Sequence, residues 1–153
     1  MSNTYHQIYL QTVFAVKYRN SVITKDLQPT IFGVIGNLIN EMNCKTIIVN
    51  GMEDHVHCFL GLRPVVSVSQ LMQNVKAKSY KYINDNALTP DRFEWQEGYG
   101  VFSYGQSQVD SVYHYIRNQQ EHHKTQTFRE EYIQSLKEFK IDYNEMYIFQ
   151  EMI

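Results

Sequence analysis

The stretch DHVHCFLGL, residues 54–62, sets two histidines on either side of one valine. Successive side chains of a strand point to opposite faces, so His55, His57 and Phe59 share one face, and Val56, Cys58, Leu60 and Leu62 the other. The second set can meet a core, which leaves the two imidazoles together on the opposite side. Each offers a ring nitrogen, and a pair so placed is half of a divalent-metal site. The same pair can also cap a sheet face with both rings hydrogen-bonded, and taken alone it leaves both readings open. A second reactive group lies in YHYIRNQQEHHK, residues 113–124. Tyr115 and Gln119 stand four residues apart, on one face of a helix. That face is about a third of a turn from the packing stripe Val109, Val112 and Ile116, at roughly 100° per residue. A tyrosine and an amide are thereby left beside the core contact, where they could meet the sheet face that carries the histidines, although most tyrosines pack with a hydrogen-bonded hydroxyl. Tyr113 lies roughly 200° away around the helix and cannot face the same site.

These groups need elements to hold them. Residues 5–18 alternate, with Ile8, Leu10, Phe14 and Val16 on one side and Gln7 and Gln11 on the other, which predicts a strand. Residues 26–43 carry Leu27, Ile31, Val34, Ile35, Leu38, Ile39 and Met42 at steps of three and four, an amphipathic helix with Pro29 in its first turn. Residues 44–62 read as two strands about a turn at Asn50-Gly51. Residues 67–85 open with the capping-box pair Ser67 and Gln70 and continue at helical spacing. Residues 92–105 are aromatic and glycine-punctuated, a strand with a bend. Residues 107–124 form a helix with Ser107 as its cap, and 127–139 open with a second capping box, Thr127 to Glu130. The tail, 146–153, is apolar and expected to pack. The order is βαββαβ with additional C-terminal helices. It predicts one α+β domain over 1–153, ferredoxin-like or RNA-recognition-like, with helices against an antiparallel sheet. That topology serves RNA-recognition domains and nucleases alike, so it does not by itself give function.

The 153 residues suit one core. A net charge of −2 argues against a generic polyanion binder but leaves room for a local basic patch. No apolar run approaches the roughly 20 residues of a membrane span, and the first residues do not read as a secretion signal. Cys44 and Cys58 make neither a disulfide framework nor a metal pattern, so reduced, mostly buried thiols in a cytoplasmic protein are expected.

Four blocks, DHVHCFLGL, WQEGYGVFS, YIRNQQEHH and TFREEY, occur in an order and at separations that resemble the single-tyrosine HUH transposases of small insertion sequences, including the REP-associated ones. HUH denotes His–hydrophobe–His, and the likeness runs over nearly the whole chain. The resemblance implies that His55 and His57 are the metal-binding pair, Gln119 the third ligand and Tyr115 the nucleophile. It implies cleavage and rejoining of single-stranded DNA with hairpin ends through a 5′-phosphotyrosine, with Mg²⁺ or Mn²⁺ and no nucleotide cofactor. It also implies a homodimer, often with the tyrosine helix of one subunit serving its partner's histidines. Glu121, His122 and His123 read as structural, or as supports behind the site.

For DNA contact, Lys17 and Arg19 flank Tyr18, and Lys76, Lys78 and Lys81 surround Tyr80; a solvated helix face and an ordinary loop account for each of them equally well. Two other functions compete. A non-catalytic single-strand-binding module is disfavoured by the set His55, His57, Tyr115 and Gln119, which binding alone does not need. A domesticated enzyme acting on chromosomal repeats would be separated from a mobile one by the DNA flanking the gene.

Overall fold

The computed structural model describes residues 4–145 and Ile148. Strand β1, Tyr9–Ala15, lies at the centre of the sheet because both of its faces are apolar enough to bury. Helix α1, Gln28–Glu41, follows, with Pro29 in its first turn as expected. Strands β2, Lys45–Gly51, and β3, His55–Gly61, form a hairpin. Helix α2, Val68–Asp85, starts at a complete Ser67–Gln70 capping box. Strand β4, Gly100–Tyr104, closes the sheet. Helices α3, Val109–Arg117, α4, Gln119–His122, and α5, Phe128–Glu138, complete the described fold. The strands run in the order β2-β3-β1-β4, antiparallel throughout. The fold is therefore the expected α+β sandwich of helices on a four-stranded antiparallel sheet.

Each sheet face has its own core. Leu10, Phe14, Val56, Cys58 and Leu60 meet α1 and α2 on one side, together with Phe93 and Trp95. On the other side Phe59 meets Val112 and Ile116 of α3, while Val13, Ala15 and Phe102 meet Phe128 and Leu136 of α5. Of the apolar tail, only Ile148 is among the described residues, and it is buried in this last cluster. Both cysteines are buried and unbridged, and burial pushes the Cys58 thiol up to about 12, so it stays protonated.

Three local expectations are corrected. Asn50 and Gly51 lie inside β2, and residues 52–54 make the turn. Gly51 is needed for close approach: a Cβ there would collide with the carbonyl oxygen of His55. Asn50 donates from Nδ2 to the carbonyls of Ile116 (2.9 Å) and Arg117 (3.2 Å) at the end of α3. Those carbonyls are orphans of a helix terminus, and the side chain satisfies them. The helix foreseen over 107–124 accordingly breaks at Asn118 (φ −98, ψ 28). It is not capped by Ser107 either, because Gln106–Gln108 is a 3-10 turn leading into α3. The strand foreseen over 92–105 contracts to β4 plus a single bridge from Trp95 to Val16, with Gly98 at φ +84 between them.

Candidate active site

The hairpin holds His55 and His57 on the face that meets α3 and α5, and both imidazoles are buried. Their outward nitrogens are tied to the protein. His55 Nδ1 lies 2.8 Å from Asp54 Oδ1, and His57 Nδ1 lies 2.7 Å from Gln11 Oε1. Gln11 is itself oriented, since its Nε2 donates to the Tyr104 hydroxyl at 2.9 Å. The inward nitrogens also face oxygen. His55 Nε2 is 3.2 Å from Gln119 Oε1, and His57 Nε2 is 3.0 Å from Glu131 Oε1.

A neutral imidazole carries one ring proton and can donate from only one nitrogen. Burial pushes His55 below its ordinary value, against the hydrogen bond it donates to Asp54, so it is neutral near pH 7. With Nδ1–H given to the Asp54 carboxylate, its Nε2 lone pair points at the Gln119 oxygen. If His57 gives its proton to Gln11, its Nε2 points in the same way at the Glu131 carboxylate. Lone pairs then converge from nitrogen and oxygen on one small volume, an arrangement that a cation satisfies and a hydrogen bond does not. Orientation of a ligating histidine through its other nitrogen is the usual support for a metal centre. The residues present therefore fit a divalent ion.

Tyr115 and Gln119 reach this site in spite of the break between their helices. The Tyr115 hydroxyl donates to Glu131 Oε2, and Gln119 Nε2 donates to the same oxygen at 3.2 Å. The Tyr115 ring stacks on His122 (centroids 4.4 Å apart) and lies edge-on to His57 at 6.4 Å. Tyr113 turns away and rests on its neighbour His114. Two clefts flank the site. One is lined by Gln11, Tyr104, Gln108, Tyr115 and Glu131, and the other by Asp54, His55, His123 and Phe128.

Two members of the cluster were not foreseen as ligands. His123 Nε2 lies 3.1 Å from Gln119 Oε1 and 3.3 Å from Glu131 Oε1. With His55, His57 and Glu131 it forms a group whose donor atoms all lie within 4.8 Å of one another. Glu131 stands four residues after Thr127, the N-cap of α5. The signal for it was available, since TFREEY is one of the blocks that carry the resemblance, but only tertiary structure shows which of its two glutamates turns inward. Glu121 remains outside, paired with Lys124.

The basic residues do not gather at this site. Lys78 is exposed, and Lys81 is exposed and paired with Asp85. Both belong to α2, which packs on the opposite face of the sheet. Lys76 donates to the carbonyls of Gln96 (2.7 Å) and Gly98 (2.9 Å) and so pins the 92–99 segment. Lys17 pairs with Glu94. Lys17, Tyr18, Lys76 and Tyr80 nevertheless line one groove. Arg19 closes the 3-10 turn that begins at Lys17.

A paired-histidine strand facing a tyrosine helix across this sheet is the arrangement of the HUH tyrosine transposases. The family model for IS200-like transposases matches residues 4–119, and the chain belongs to that family. It is 28% identical over 117 residues to the transposase for insertion sequence element IS200 of Salmonella typhimurium strain LT2, covering 73% of this chain and 76% of that protein. The Salmonella typhi counterpart matches to the same extent. Among solved structures, a candidate transposase from Deinococcus radiodurans superposes with a TM-score of 0.62 at 18% identity, over 78% of this chain and 95% of that one. A REP-associated tyrosine transposase bound to a REP hairpin superposes with a TM-score of 0.57 at 15% identity, over 80% of this chain and 74% of that one. At these identities the two structures speak for the fold. No helix among the described residues is long and apolar enough to cross a membrane.

Proposed function

We propose that this protein is a transposase that cleaves and rejoins single-stranded DNA at the ends of an insertion sequence, with Tyr115 as nucleophile. The observation that carries the reading is that Tyr115 and His57 converge on a single carboxylate, Glu131, within one chain. A divalent cation held by His55, His57 and Gln119 would polarise the scissile phosphate and offset charge on the leaving oxygen. Tyr115 forms a bond from its phenolic oxygen to phosphorus as the bond from phosphorus to the 3′ oxygen breaks. Its proton passes by way of Glu131 Oε2, the acceptor it already faces, to solvent. The departing 3′ oxygen takes up a proton from solvent as the free hydroxyl, so that none is gained or lost overall. The 5′ phosphate remains as a tyrosyl ester of similar energy to the bond it replaced. A 3′ hydroxyl from another strand can therefore attack it, with Tyr115 leaving and regaining its proton, and no nucleotide is consumed.

The substrate in this reading is single-stranded DNA with hairpin ends, which fits the family and the bound REP hairpin of the REP-associated relative. The groove of Lys17, Tyr18, Lys76 and Tyr80, on the sheet's other side, offers rings for stacking as a surface for the DNA away from the cut, but Glu94 and Glu97 line it too and offset its two lysines. The test is incubation with single strands from both flanks of the gene in Mg²⁺ or Mn²⁺. A covalent adduct on a denaturing gel is expected for the natural protein and none for Tyr115→Phe, which should still bind the hairpin. Tyr113→Phe should form the adduct. Adduct formation by Tyr115→Phe would overturn the assignment.

A further inference from the structure

We propose that His123 and Glu131 are themselves metal ligands, completing a five-donor centre that prefers a first-row transition ion such as Mn²⁺ over Mg²⁺. This rests on the metal reading of His55, His57 and Gln119 and enlarges it. Both added residues lie beyond the segment 4–119 that the family model matches.

The spacing of the donor atoms carries the inference. Two ligands about 2.1 Å from one ion are about 3.0 Å apart at a right angle and about 3.4 Å apart at a tetrahedral angle. Glu131 Oε1 lies 3.0 Å from His57 Nε2, 3.3 Å from His123 Nε2 and 3.8 Å from His55 Nε2. Gln119 Oε1 lies 3.2 Å from His55 Nε2 and 3.1 Å from His123 Nε2. All three imidazoles thus present the same nitrogen, Nε2, to Glu131 Oε1, and those of His55 and His123 also to Gln119 Oε1. All of these separations but the 3.8 Å from His55 to Glu131 are proper to neighbours around one ion at a right or tetrahedral angle. Glu131 is also a buried carboxylate, 3% exposed, and its partners in this cluster are imidazoles, an amide and a phenol. A charge so placed needs a positive partner. Tyr115 and Gln119 Nε2 donate to Oε2, while Oε1 faces the ring nitrogens of His57 and His123, and an ion held there would take the place of those direct contacts.

Three ring nitrogens, one carboxylate and one amide oxygen form a softer set than the oxygen-dominated shell that Mg²⁺ takes. Glu131 would hold the ion through Oε1 while its Oε2 accepts from the Tyr115 hydroxyl.

Titration calorimetry of the full chain with Mn²⁺ and with Mg²⁺ tests this. Mn²⁺ should bind at least about tenfold more tightly than Mg²⁺, and Glu131→Gln and His123→Ala should each weaken Mn²⁺ by more than about tenfold. His57→Ala is the control for the underlying site. If it abolishes binding while Glu131→Gln and His123→Ala bind as the natural protein does, the enlargement fails and the smaller site stands. If the natural protein binds neither ion, both fall. Pulsed electron paramagnetic resonance of Mn²⁺ in the natural protein needs no variant: three coordinating imidazoles are expected, and two would overturn the role of His123. Equal affinity for Mg²⁺ and Mn²⁺ would overturn the stated preference.

Discussion

Tyr115 must release its proton in surroundings that hold it. Burial pushes the hydroxyl up first, and the charge and hydrogen bond of Glu131 push it further in the same direction. Against burial, the imidazoles of His57 and His123 hold the Glu131 carboxyl below the usual carboxylate range, so in the proposed reaction Glu131 would relay the Tyr115 proton as attack proceeds and not keep it. His57 depends on Gln11 in turn. Gln11→Ala removes the oxygen that faces Nδ1, and Mn²⁺ affinity measured by calorimetry should fall about 10–100-fold. His55 gives a pH dependence with a definite sign. Its folded value lies below the ordinary 6.5, so the unfolded chain binds the proton more readily. Its contribution is present above pH 6.5 and is lost as pH falls below it. Thermal melts should show stability declining from pH 7 towards pH 5, less steeply in His55→Asn. That His55, His57, Tyr115 and Gln119 could meet on one sheet face was legible from residue type and spacing, and the structure brings them together; the roles proposed for them come from the resemblance. Gln11 and Glu131 were not legible, because their contacts cross elements, 46 positions apart for Gln11 and His57 and 74 for His57 and Glu131. Asp54 and His123 contact residues near them in sequence, but only the fold shows which way their side chains turn.

The elements position these residues through a few specific contacts. The end of α3 is held by Asn50 from the neighbouring edge strand. Asn50→Ala leaves those carbonyls, part-buried at Ile116 and exposed at Arg117, to water, which costs about 0.5–1.5 kcal/mol. A lower melting temperature is expected, together with a lower adduct yield, because Tyr115 stands one residue before the carbonyls that Asn50 binds. In the sequence Asn50-Gly51 carries the strongest short hairpin signal, yet both residues are used for packing: Gly51 for backbone approach to His55, Asn50 for the helix. Local turn chemistry could not reveal this, since the helix end that Asn50 meets lies 66 residues away. The capping box at Ser67–Gln70 was readable because both partners are local. So were the α3 stripe of Val112 and Ile116 and the division of β3 into a histidine face and a core face.

At the scale of the molecule, Tyr115 of α3 lies beside His57 and Glu131 of the same chain, and α5 covers the histidines, with Phe128 stacked on His55 at 4.0 Å; an intrachain site is proposed from this. The resemblance had left open a site shared between subunits. With an intrachain site, mixing Tyr115→Phe with His57→Ala protein should restore no adduct, and restoration would show exchange of the tyrosine helix. Assembly is a separate question. The sheet leaves β2 and β4 as edges, and a homodimer is proposed from these edges and from the family. Light scattering at micromolar concentration should give about twice the 18.2 kDa of one chain. The topology was legible as βαββαβ because each element carries its own periodicity. The docking of α5 was not, because Phe128 and Leu136 meet Val13, Ala15 and Phe102 of distant strands, and Glu131 meets imidazoles of a distant hairpin.

The central claim is that one tyrosine of twelve becomes joined to DNA. Protease digestion of the covalent adduct formed with flanking single-stranded DNA, followed by mass spectrometry of the nucleotide-bearing peptide, reads that residue directly. The 5′ phosphate should be found on Tyr115 and on no other residue; its presence on Tyr113, Tyr104 or any other side chain, or an adduct in which Tyr115 is unmodified, would contradict the account.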